Sequence, residues 1–248
     1  MNGARTATTP DIYNKQHKYF TCGYVMYCEN LVVHIPPILA IIGYFAYPTQ
    51  YRISPAALYT GSILHNSALI LFSAWSFVSL SKIIYREGVV IQSYYYFQNP
   101  EFDRILYFFH LSKYYEFLDT FLLYLNGKTP IFLQKYHHIG ALVCWHLFYV
   151  YKVDGIWIPT VANAFVHTVM YSYYLGCLLK INVVRFLKKY ITCLQLCQLW
   201  GTMVLCNVLY YQIETEQRRR LIWVCNFYNF GLIYGFSCFF YKNYLKRH

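Results

Sequence analysis

IFLQKYHHIGALVCWHLFYVY, residues Ile131–Tyr151, is the stretch on which the reading of this chain turns. It is long and apolar enough to cross a bilayer, which takes about 20 residues. Yet it opens on Gln134-Lys135-Tyr136-His137-His138. Ionisable groups at that depth are costly and mark function by default. Helical spacing puts Gln134, His137 and His138 on one side, with Leu133 and Tyr136 facing elsewhere. Imidazole titrates near neutrality, which suits a nucleophile, a base or a metal ligand alike.

Outward from this stretch the pattern repeats. Hydrophobic residues make up 58% of the 248, aromatics 21% and charged residues 12%, about half the charged share of a soluble domain. Apolar runs recur at 31–47, 56–80, 105–125, 131–151, 156–179, 191–213 and 221–241. This predicts an all-α integral membrane protein of about seven transmembrane helices. The first run is short and interrupted by Pro36 and Pro37. Short connections make sequential helices antiparallel neighbours; the longest, 81–103, carries Tyr94-Tyr95-Tyr96, suited to a membrane interface. Without a linker or low-complexity segment, residues 1–248 read as a single polytopic domain. It has an N-terminal segment, 1–30, with no signal-peptide core, and a basic tail, 242–248. Seven of the nine cysteines fall within the runs as small buried hydrophobes; Cys22 and Cys28 lie before them.

The net charge of +11 does not indicate nucleic acid, because of where it lies. Arg52, Lys128, Lys180, Arg185, Lys188, Lys189, Lys242, Lys246 and Arg247 fall on the C-terminal side, with no acid in those loops. The compact cluster 180–189 places that side in the cytosol, and the surface suits a polyanionic ligand.

Several runs carry a polar face. Lys113, Glu116, Asp119 and Thr120 sit at i, i+3, i+6 and i+7, spaced either for an ion-pair network fixing helix packing or for a site. Asn163, His167, Met170, Tyr171 and Tyr174 form a second face. Thr192, Gln195 and Gln198 form a third, and Asn226 and Asn229 a weaker fourth. His34, His65, His110 and His146 lack such company and read as structural. A membrane di-iron oxygenase needs more imidazoles than this, so no metal is expected, and no G-x-S-x-G nucleophile turn appears. Covalent catalysis by imidazole is the chemistry these groups suit: an acyl-imidazole stays activated toward a second nucleophile, amide and phenol donors stabilise the developing anion, and an apolar bundle excludes water. A seven-helix transporter or receptor with a polar-lined path is the alternative from another class.

Lys113-x-x-Glu116-x-x-Asp119-Thr120, Gln134-x-x-His137-His138, Asn163-x-x-x-His167-x-x-Met170-Tyr171-x-Tyr173-Tyr174 and Thr192-x-x-Gln195-x-x-Gln198 together resemble the very-long-chain fatty acid elongases. The resemblance implies decarboxylative condensation of malonyl-CoA with a long-chain acyl-CoA, with no further cofactor. It also implies a bundle around an acyl-chain tunnel in the endoplasmic reticulum membrane, the C-terminus cytosolic, working beside the reductase and dehydratase of the elongation cycle. His137 would carry the acyl group, with His138 and His167 assisting. Lys113, Glu116, Asp119, Gln134, Asn163, Tyr171, Tyr174 and Gln195 would contact substrate; the charge of Lys128, Lys180, Arg185 and Lys188, rather than the resemblance, suits them to the CoA phosphates. Gln134 departs from the commonest box, which begins with His; glutamine cannot exchange a proton near neutrality. Gln-first boxes resemble those of members linked with polyunsaturated substrates.

Overall fold

The computed structural model describes residues 32–46, 53–182 and 186–246; Arg185, Cys22, Cys28 and the whole N-terminal segment lie outside them. Every regular element among the described residues is helical. Two compact units divide at Ala46.

The first unit contributes α1, Ile35–Phe45. Pro36 and Pro37 fall in its first turn, where the missing N–H has no intrahelical partner to lose. They start the helix rather than interrupt it.

The second unit holds α2 (Pro55–Glu87), α3 (Pro100–Tyr115), α4 (Phe117–Leu125), α5 (Phe132–Val150), α6 (Trp157–Leu178), α7 (Leu187–Tyr210) and α8 (Glu216–Phe240). Ser54 caps α2, accepting from the Ala57 N–H at 3.2 Å. With no proline after its first turn and a lone Gly61 tolerated within it, α2 runs 33 residues to Gly88 (φ 76°), about 50 Å. The expected long connection from 81 therefore begins only at 88. Asn99 then caps α3, accepting from Glu101 and Phe102 N–H at 2.9 and 3.4 Å. The run 105–125 is not one helix: at Glu116 the ladder slips to an i+3 bond, Asp119 N–H to Glu116 carbonyl at 3.1 Å, and α4 sets off anew.

Helix order in space differs from order in sequence. Each helix of the series α2, α6, α7, α8, α5, α3 packs on the next, and α3 packs back on α2. The strongest pairing, α2 with α6, joins helices far apart in the chain, and α5 and α6 each pack chiefly on other partners. The expectation of sequential neighbours therefore fails between α5, which carries His137 and His138, and α6, which carries His167.

Among the described residues three helices, α2, α7 and α8 continued to Leu245, are by length and composition apolar enough to cross a membrane. The break at Glu116 shortens α3 and α4, and their polar faces lower the hydropathy of α5 and α6. On the three long helices Leu71, Val208, Phe227 and Tyr234 are each at least 70% exposed, an apolar surface matched to lipid rather than water.

One end of the ring is tied shut by its connections. The Asp154 carboxylate accepts from the backbone N–H groups of Tyr95, Tyr96 (3.2 Å) and Phe97 (3.3 Å). The Tyr210 hydroxyl donates to the Val90 carbonyl at 2.8 Å. Arg218 bonds Tyr151 O, Ser93 Oγ and Glu214 at 2.9, 2.6 and 3.2 Å. Burial pushes the Asp154 carboxyl up to about 6 against the pull of the three N–H groups. Raised above its unfolded value, it contributes stability fully at acid pH, and that contribution is lost as pH rises through about 6. Asp154→Asn is therefore expected to flatten the pH dependence of thermal stability between about pH 4 and 6; an unchanged profile would place the dependence elsewhere.

Candidate active site

Inside the ring lies a cavity of about 620 Å³ lined by residues of α2 and α4–α8. Gln134, His137 and His138 of α5 meet His167, Met170, Tyr171 and Tyr174 of α6 on its wall, with Asp119 of α4 and Gln195 of α7. The two separate histidine faces therefore enclose one site. A second, narrower cavity of about 80 Å³ runs from His137 toward Ile156 and Pro159 at the tied end, lined mostly by apolar side chains and by Asn163, Gln198, Asn226 and Asn229. His137 lines both cavities.

Asp119 is the hub. Its Oδ2 accepts from the Tyr171 hydroxyl at 2.7 Å and its Oδ1 pairs with His65 Nε2 at 2.8 Å, while His138 Nε2 stands 3.9 Å from Oδ2. Nδ1 of both His65 and His138 is buried with no hydrogen-bond partner. That fits rings that turn an Nε2–H toward the carboxylate and leave Nδ1 a bare acceptor. His65, read as structural, thus belongs to the site. The adjacent pair His65-Asn66, polar inside an apolar run, is the only mark of this in the sequence.

Lys113 and Glu116 stand behind this wall rather than on it, which corrects their reading as substrate contacts. The Lys113 ammonium is 2.7 Å from Glu116 Oε1 and 3.0 Å from Asn163 Oδ1, and lies 4.3 Å above the Phe109 ring. Glu116 Oε1 is in turn 3.5 Å from His167 Nδ1. Both charged side chains are almost fully buried. Charges so placed persist only when paired and hydrogen-bonded, and this pair holds Asn163 and His167 in place. The two readings of the Lys113 face thus converge: an ion-pair network that also orients the site. Gln134 donates to Thr120 Oγ1 at 3.3 Å, the hydrogen-bonding role left to it. Gln195 reaches Met170 Sδ at 3.5 Å.

Away from the tied end the wide cavity is bordered by Asn126, Lys128, Ile131, Lys188 and Phe239. Lys128 and Lys188 therefore stand at the site, whereas Lys180 is exposed and off the cavity wall. His110 and His146 form a separate buried pair, 3.2 Å apart, between α3 and α5. Tyr228 of α8, unmarked in the sequence reading, places its hydroxyl 3.2 Å from His137 Nδ1.

A ring of apolar helices around a buried imidazole site defines a multi-pass, all-helical membrane protein. The GNS1/SUR4 (ELO) family model matches residues 33–248, and the chain belongs to that family. It is 33% identical over 165 residues to a very long chain fatty acid elongase 4 of Trypanosoma cruzi, covering 62% of this chain and 57% of that one. It is 36% identical over 159 residues to the fatty acid elongase sre1 of Dictyostelium discoideum, covering 57% and 55%. To a very long chain fatty acid elongase 5 of Tachysurus fulvidraco it is 29% identical over 209 residues, covering 75% and 65%. The chain thus spans between half and two thirds of the length of these relatives.

Proposed function

We propose that the protein is a 3-oxoacyl-CoA synthase of fatty acid elongation, condensing malonyl-CoA with a long-chain acyl-CoA. The observation that carries this reading is the position of His137, where a wide cavity meets a narrow one. A thioester carbonyl held at that junction has its CoA portion in the wide cavity and its chain in the narrow one. At about 80 Å³ the narrow cavity takes only the first few methylenes as it stands. Met203 on its wall is the unbranched, adaptable side chain whose movement would admit more of the chain.

The electron flow balances without an added cofactor. His137 attacks the acyl carbonyl; a C–N bond forms, the C–S bond breaks, and CoA leaves as a thiolate that takes a proton from solvent. Malonyl-CoA then loses carbon dioxide, and the electron pair of the broken C–C bond becomes the carbanion of an acetyl thioester. This attacks the acyl carbon, forms the new C–C bond and expels imidazole. The product is two carbons longer. Gln195, Asn163 and Tyr171 are the neutral groups available to hold the oxyanion or enolate. His138, held toward Asp119, serves as base or orienter, and His167, beside Glu116, does the same for the malonyl half. The polyunsaturated preference belongs to this proposal, as do the endoplasmic reticulum location and the cytosolic face of Lys128 and Lys188.

Purified protein given an acyl-CoA and carboxyl-labelled malonyl-CoA is expected to release labelled carbon dioxide in step with 3-oxoacyl-CoA. Uptake or binding without that release is the contrary result. Lys128→Glu with Lys188→Glu is expected to raise KM for both CoA substrates by about tenfold and to leave kcat within about twofold, because rim charges act on association. A fall in kcat alone would remove the phosphate role.

A further inference from the structure

The hydroxyl of Tyr228 lies 2.9 Å from the His137 carbonyl oxygen and 3.2 Å from His137 Nδ1. A phenol has one proton to give. The shorter contact is to a carbonyl, which can only accept, so the proton is committed there. Nδ1 then faces a phenol lone pair and must itself be the donor. In a neutral imidazole that leaves Nε2 without a proton.

Residue 140 makes this placement possible. Gly140 lies one turn beyond His137, and a Cβ there would come within 2.0 Å of Tyr228 Cε2 and 2.3 Å of Cδ2. Any other residue displaces the phenol ring. The neighbouring contact repeats the fit in reverse: the Tyr136 ring of α5 lies over Gly231 of α8, where a Cβ would meet its hydroxyl at 2.3 Å. That hydroxyl also donates to the Tyr228 carbonyl at 3.1 Å. Two aromatic rings, each seated on a glycine of the opposite helix, fix the register of α5 on α8 and with it the approach of Tyr228 to His137.

We propose that Tyr228 is a positioning residue that holds His137 in the Nδ1–H tautomer, so that the Nε2 lone pair is the nucleophile. The inference rests on the condensing reading above and deepens it. The tautomer matters at both steps. Nε2 forms the C–N bond as sulfur leaves with its electron pair, and the positive acyl-imidazolium keeps its Nδ1 proton on the Tyr228 oxygen. When the carbanion attacks, the C–N bond breaks and the electron pair returns to Nε2. The group expelled is then neutral imidazole rather than its anion, and no proton has to be found within an apolar bundle.

The test is single-turnover transfer from an acyl-CoA to the purified full chain, with the adduct on His137 followed by mass. Tyr228→Phe keeps the ring on Gly140 and removes only the hydroxyl. It is expected to slow adduct formation by about 10- to 100-fold, the rate equivalent of one lost hydrogen bond, with acyl-CoA affinity within about twofold of wild type. A merely packing role predicts no such split, and wild-type adduct formation in Y228F overturns the proposal. Should Y228F not fold, 3-fluorotyrosine at 228 keeps ring and contacts but weakens the oxygen as an acceptor. Several-fold slower acylation is then expected, and an unchanged rate overturns the proposal equally. A wild-type enzyme that turns over with no adduct on His137 defeats the condensing mechanism itself and this inference with it. That outcome is distinct from failure of Tyr228 alone, where the wild-type adduct is present.

Discussion

His137→Ala is expected to lower condensation by at least about 10³-fold while the protein stays folded, as removal of a covalent nucleophile does elsewhere. The side chain lines two cavities, so truncating it enlarges a space already open and leaves the packed faces of α5 intact. Its neighbours do not substitute for it. His138 is turned toward Asp119 on the wall and His167 toward Glu116 behind it. The measurement is 3-oxoacyl-CoA formation beside a thermal unfolding curve. Activity within about tenfold of wild type would move the nucleophile to another residue.

The second large effect concerns stability. Lys113 and Glu116 are a salt bridge with side chains 2% and 3% exposed. Glu116→Ala strands an ammonium among Phe109, Trp145 and Asn163, an uncompensated buried charge. The expected loss is about 3–5 kcal/mol, a fall in Tm of roughly 6–20 °C for a chain of this size. Lys113→Met with Glu116→Leu removes both charges and is expected to recover most of that stability, because the pair itself contributes little net once desolvation is counted. Activity does not return with it, since His167 has lost the carboxylate 3.5 Å away and Asn163 its ammonium partner. A double variant as unstable as Glu116→Ala would show that the pair stabilises the fold outright.

These two outcomes separate what helical spacing made legible from what it did not. Gln134, His137 and His138 share a face because residues three and four apart do, and the same rule aligned Asn163, His167, Tyr171 and Tyr174. Their convergence on one cavity followed from the cost of turning such groups toward lipid. Spacing along one helix says nothing of what a neighbouring helix brings. Tyr228 lies in an aromatic stretch, Phe227-Tyr228-Asn229-Phe230, where a phenol looks like any other ring. Only Gly140, small and one turn from His137, hinted that something packs there. His65 was hidden in the same way, since its partner Asp119 lies on α4. The break at Glu116 escaped notice because no glycine or proline marks it. There the side chain, drawn to Lys113 and His167, accompanies the slip in the ladder. The pairing of α2 with α6 was likewise beyond reach of the connections, whose lengths constrain neighbours in sequence only.

The proposed covalent step at His137 underlies these expectations. Mixing the purified protein with a long-chain acyl-CoA alone, then mapping its peptides by mass, tests it most directly. The expected result is an acyl mass on the His137 peptide that disappears when malonyl-CoA is added, as 3-oxoacyl-CoA appears. Turnover with no adduct on that peptide, or an adduct that malonyl-CoA leaves in place, would contradict it.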